Sequence, residues 1–224
     1  MLLSIAFLVM VGFVLPALSW SSHRSMGSPD TMKPALLSTR AIACQIVLVQ
    51  AIVAGFASLA VWAAGLTVAW ASRLTVAGVL TAIGIVGAAS VVALVEGRRP
   101  LGRGTELRRL LRSVSPGDPV WLVATAVAAV CEEFAYRGVL VEILSRPLGP
   151  AGAAVASAVV FALGHLAQGW RGAAFSLVFG LGMQTLVALS GGLTLAIVAH
   201  LTYDLVAAAL GRRLAVRECH ESAA

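Results

Sequence analysis

The sequence predicts an all-α fold, a polytopic transmembrane helix bundle with about seven to eight spans. Of its 224 residues 59% are hydrophobic and only 12% charged, with a mean hydropathy of +0.94, whereas a soluble domain holds about 25% charged residues. The apolar runs reach the ~20 residues a helix needs to cross the hydrocarbon. They are too long for barrel strands and do not alternate polar with apolar, so an outer-membrane barrel is excluded. Fifteen of the sixteen Lys and Arg residues lie outside the runs.

Seven runs are legible, at about 1–20, 41–70, 75–95, 119–145, 151–169, 172–189 and 192–210. The first has no basic n-region, which a signal peptide needs, and is expected to be an uncleaved helix with Met1 outside. The following stretch to Arg40, with Gly27, Pro29 and Pro34, reads as a flexible connection. In the third run, Gly84 and Ala88 are small residues one helical turn apart, a spacing suited to close helix packing. Leu107, Leu110, Leu111 and Val114 then recur at helical spacing opposite Arg108, Arg109 and Arg112, the pattern of a short helix on the membrane surface. Asp118 is placed to cap the fourth span and Pro119 to open it. The expected organisation is an N-terminal membrane region with a basic loop (1–118), a core (119–211) and a tail (212–224).

With the 96–118 loop on the cytoplasmic side, thirteen of the sixteen basic residues are cytoplasmic. Only Arg73 and Arg146 lie outside, and Arg137 lies within a span. This strong positive-inside asymmetry places the chain in the plasma (cytoplasmic) membrane with its basic loops and C-terminus cytoplasmic. The net charge of +6 therefore points to membrane lipid, and no nucleic-acid partner is expected. Cys44 and Cys131 sit in apolar runs and Cys219 in the tail, so no cysteine spacing suggests a metal site or a disulfide framework. Nothing in the pattern sets an oligomeric state.

The fourth span carries Glu132, Glu133 and Arg137 in its middle. A central, lipid-facing charge costs about 2.5–3.5 kcal/mol on the translocon scale, so these groups must face protein or water. Glu133 and Arg137, one turn apart, can pair. Glu132 is rotated by about 100° from Glu133 and has no local counter-ion. It needs a proton, a metal or a hydrogen-bond donor from another helix. Candidate partners are His165, closing the fifth span, and His200 with Asp204, one turn apart in the seventh. One cavity opening to the cytoplasm would collect Glu132, His165, His200 and Asp204.

These motifs resemble the CPBP family, the CAAX prenyl endopeptidase and bacteriocin-processing (Abi) intramembrane proteases. The resemblance rests on Glu132-Glu133-x-x-x-Arg137, Phe161-x-x-x-His165 and His200-x-x-x-Asp204, in order and each in its own span, and covers roughly residues 119–210. It implies a multi-helix membrane fold and cleavage of a peptide or protein substrate near the membrane. Carried over, Glu132 activates water with His165, His200 and Asp204 stabilise the oxyanion or hold a metal, and Glu133 and Arg137 orient the fourth helix. Zinc or another divalent metal on Glu132, His165 and His200 would suit the chemistry. A metal-free mechanism with Glu132 as general base would suit it equally. The residue at 204 is Asp where some members carry Asn, and an ionised Asp cannot donate to an oxyanion.

Two other classes fit parts of the pattern. One is a non-catalytic membrane protein of the same fold, serving bacteriocin immunity or scaffolding. The other is a cation or proton carrier, or a haem protein with His165 and His200 as axial ligands. Tyr136, Phe161 and Tyr203 are expected to be packing aromatics, and Cys131 a small packing residue.

Overall fold

The structure, a computed structural model, describes residues 2–26, 39–98 and 117–221. Among these the regular structure is helical throughout: α1 (Leu2–Val9), a π-helical turn (Met10–Val14), α2 (Leu15–Met26), α3 (Thr39–Ala64), α4 (Val76–Gly97), α5 (Pro119–Glu132), a second π-helical turn (Glu133–Leu140), α6 (Val141–Gly164), a 3₁₀ turn (Leu166–Gln168), α7 (Gly169–Ser190) and α8 (Thr194–Glu221). The surface-helix expectation at 107–114 and most of the 21–40 connection lie outside the described residues.

Among the described residues six helices are long and apolar enough to cross a membrane, fewer than the seven to eight expected. The difference arises at Pro119–Gly164, where 46 residues run without the expected loop at 146–150. At 1.5 Å per residue such a helix would measure about 70 Å, more than twice a ~30 Å hydrocarbon core. Gly149 resolves the mismatch: its φ of 71° and ψ of 168° break the helix between Pro147 and Pro150. A left-handed φ strains any residue with a Cβ, and each proline removes a backbone donor.

The second span is also shorter than expected. It ends at Ala64, and residues 66–75 run on without helical structure despite their apolar composition. Three of their backbone groups pair with residues at the α7–α8 turn. Arg73 N donates to Ser190 O (2.7 Å), Leu193 N to Ala69 O (3.0 Å) and Thr194 N to Trp70 O (3.0 Å).

Between α1 and α2 the coil widens into the π turn just before Pro16, which has no N–H to give to the preceding turn. Phe7 and Val11 there are fully buried in a cluster with Val53 and Ala57 of α3 and with Val139, Leu140 and Phe161. A second cluster joins Ala89 of α4, Phe179, Met183 and Leu186 of α7, and Ala196 and Ala199 of α8. Small buried residues such as Ala124, Ala196 and Ala208 let the helices approach closely. Gly84 and Ala88 do not serve this purpose, since both are exposed; close packing on α4 falls at Ala89 instead.

Trp62, Leu80, Ile83 and Val178 point outward, as a lipid-facing surface requires. Contacts place the arginine-bearing ends on one face: Arg24 of α2 lies over Trp20, Trp20 meets Trp170 of α7, and Arg171 lies 3.5 Å from Glu96 of α4. Trp121 of α5 packs there with Ile42 of α3 and Ala208 of α8.

Candidate active site

Helix α5 starts where Asp118 Oδ1 accepts the free N–H of Val120 (2.9 Å) and Pro119 takes the first position, as a capped start requires. Fourteen residues later, at Glu133, the coil widens into the π turn. Such turns shift the hydrogen-bond ladder to i+5 and re-aim side chains. Six of its eight residues, Glu133 and Arg137 among them, are buried. The carbonyl of Tyr136 within it accepts the Ser157 hydroxyl of α6 (2.7 Å), which ties the widened coil to the neighbouring helix.

Glu133 is fully enclosed, and Arg137 Nη1 lies 3.3 Å from its Oε1. The guanidinium carbon sits 4.2 Å from the ring centroid of Phe161, a cation–π geometry. Room for it comes from Gly180, where a Cβ would fall 3.1 Å from Nη2. The other partner of Glu133 is His200: Nδ1 stands 2.8 Å from Oε1. An ionised carboxylate only accepts, so Nδ1 carries the proton.

The opposite edge of His200 faces two further carboxylates, with Nε2 at 3.8 Å from Glu132 Oε2 and 3.7 Å from Asp204 Oδ2. The ring is fixed by Phe179, 5.2 Å away edge-on. Glu132 projects away from Glu133, and its Oε1 accepts a 2.6 Å hydrogen bond from Gln50 Nε2 of α3. His165 stands just past the end of α6, not within a span as expected, with φ −99° and ψ 9°. Its Nδ1 donates to the Phe161 carbonyl (2.8 Å). In the neutral ring this leaves the Nε2 lone pair free.

Glu132, His165, His200 and Asp204 line one cavity of about 390 Å³, together with Gln50, Trp121 and Gln168. Glu133 and Arg137 lie behind the His200 wall and do not line it. From Glu132 the lining runs along α5 to Trp121, toward the arginine-bearing face. The site thus offers a carboxylate, an imidazole with an open nitrogen and a second imidazole held by acids, which is sufficient for moving protons to and from a water molecule. Among the described residues no three His, Cys, Asp or Glu side chains are placed to hold a metal ion.

The sequence reading missed Gln50. A neutral amide in an apolar span carries no charge signal, and its partner is 82 residues away. It also missed the π turn, which no spacing rule marks. Tyr136 and Phe161 do pack together, edge to face at 5.1 Å.

The family model for type II CAAX prenyl endopeptidase, Rce1-like, matches residues 118–206. That stretch runs from the Asp118 cap past Asp204. No curated protein and no solved structure matches the chain.

Proposed function

We propose that the chain, whose residues 118–206 match the Rce1-like family model of type II CAAX prenyl endopeptidases, is an intramembrane endopeptidase cleaving a peptide or protein substrate near the membrane. The carrying observation is the common cavity: Glu132, His165, His200 and Asp204, from three separate helical regions, all face one space. Glu132 is held there by a neutral amide, which supports a role as base, since an arginine partner would bind its lone pairs. The arginine-bearing face is taken as cytoplasmic, in the plasma membrane, by the positive-inside asymmetry.

In this mechanism Glu132 takes a proton from a water that also donates to His165 Nε2. The water oxygen bonds to the scissile carbonyl carbon, and the carbonyl π pair moves onto its oxygen. His200 in its imidazolium form donates from Nε2 to that oxyanion, with Glu133 holding Nδ1 and Asp204 as a further counter-charge. The tetrahedral carbon then expels the amide nitrogen as the C–N bond breaks, and the proton on Glu132 passes to the leaving amine. Arg137 holds Glu133 in place without touching substrate. The competing non-catalytic reading gains no support from a particular observation.

The test is cleavage in proteoliposomes of membrane-proximal peptides, prenylated and unprenylated, with new termini identified by mass spectrometry. Discrete cut sites support the proposal; intact peptides throughout oppose it.

A further inference from the structure

Two buried polar atoms in the cavity wall have no hydrogen-bond partner among the described residues: Gln50 Oε1 and Trp121 Nε1. Both residues line the cavity. The orientation of the Gln50 amide follows from its neighbour, because Glu132 as a carboxylate accepts only, so Nε2 must face it and Oε1 must point elsewhere. An unpaired buried acceptor or donor is costly, and native structures satisfy nearly all of them. One of these two atoms needs a donor and the other an acceptor. Peptide main chain supplies one of each per residue.

The rise of α5 between Trp121 and Glu132 bounds the length of such a ligand from above, since the Trp121 side chain also packs on Ile42 and Ile46, one to two turns from Gln50 on α3. Trp121 precedes Glu132 by eleven residues on α5, which is about 16 Å at 1.5 Å per residue. An extended peptide rises about 3.3 Å per residue and covers that distance in about five residues. Gln50 Oε1 belongs to the amide that holds Glu132, so a main-chain N–H on it lies beside the carbonyl that receives the water.

We propose that Gln50 and Trp121 are the two ends of a subsite for an extended substrate main chain, Gln50 Oε1 accepting an N–H next to the scissile bond and Trp121 Nε1–H donating to a carbonyl up to about five residues away along the cavity. Gln50 is also a positioning residue for Glu132. The inference rests on the peptide-cleavage reading and adds the binding mode. It also assigns a role to α3, which lies outside the family-matched segment.

The probes are acyl-anchored peptides of about ten residues, long enough to overfill the subsite, with single N-methyl groups or stepwise truncations. The full-length variants are Gln50→Met and Trp121→Phe, each removing the polar contact with little change of shape. The N-methyl group beside the scissile bond is expected to lower kcat/KM of the wild type about tenfold and that of Gln50→Met less than about twofold. Stepwise truncation within about five residues of the scissile bond should include one step that raises KM in the wild type, with little effect on kcat, and leaves Trp121→Phe nearly unchanged. The same couplings are expected in peptide affinity for the Glu132→Gln chain, where no cleavage is needed. Penalties unaffected by either substitution, or no peptide binding at all, overturn the subsite. Coupled binding with a wild type that cleaves nothing overturns the protease reading and leaves the subsite standing.

Discussion

His200 Nδ1 lies 2.8 Å from Glu133 Oε1, across 67 residues of sequence. The spacing of one helical turn pairs His200 with Asp204 instead, yet that contact is the looser one, 3.7 Å from Nε2 to Oδ2. Glu133 therefore links Arg137 on its own helix to the imidazole of α8. The pair that sequence spacing marks as purely local is the anchor of the site's back wall.

Arg137→Met should destabilise the protein strongly. It leaves the fully enclosed Glu133 without its guanidinium, and breaking a buried pair on one side costs about 3–5 kcal/mol. A marked fall in the Tm of the detergent-solubilised protein is expected; an unchanged Tm would show that the pair is not structural.

Gly180→Ala should cost about 1–3 kcal/mol through overpacking. The added methyl would meet Arg137 Nη2 at 3.1 Å, and the guanidinium is confined by Phe161. The cost should shrink in the Arg137→Met background, because neighbouring sites couple. Thermal unfolding of the four chains measures this, and simple additivity would contradict it.

A metal-free mechanism with Glu132 as general base predicts well under one metal per chain by elemental analysis and cleavage that survives chelators; zinc or another divalent ion on Glu132, His165 and His200 is the proposed alternative. Stoichiometric metal that disappears in His165→Ala would assign those three residues as ligands.

The charged part of the site was legible because charge in an apolar span has few bland explanations. Glu132, Glu133, Arg137, His200 and Asp204 each stand out by cost alone, and the spacing of Glu133 and Arg137 gave their ion pair directly. Gln50 and Ser157 were invisible, since uncharged polar residues in a span are ordinary and their partners come from other helices. Residues 66–70 read as the end of the second span because hydropathy cannot separate an apolar helix from an apolar irregular segment whose bonds are met by a distant turn. The gap between the runs ending at 145 and starting at 151 falls where Gly149 bends a continuous helical stretch. Gly84 and Ala88 show the limit of small-residue patterns, which mark where helices can approach without saying which face has a neighbour.

The central claim is that Glu132 delivers the attacking water, and the direct measurement is peptide cleavage by Glu132→Gln beside the wild type, at matched abundance in the same vesicles. Loss of the base should lower kcat by about 10²-fold or more, with peptide affinity kept and the protein fully folded. A Glu132→Gln chain that cleaves at the wild-type rate would contradict the account.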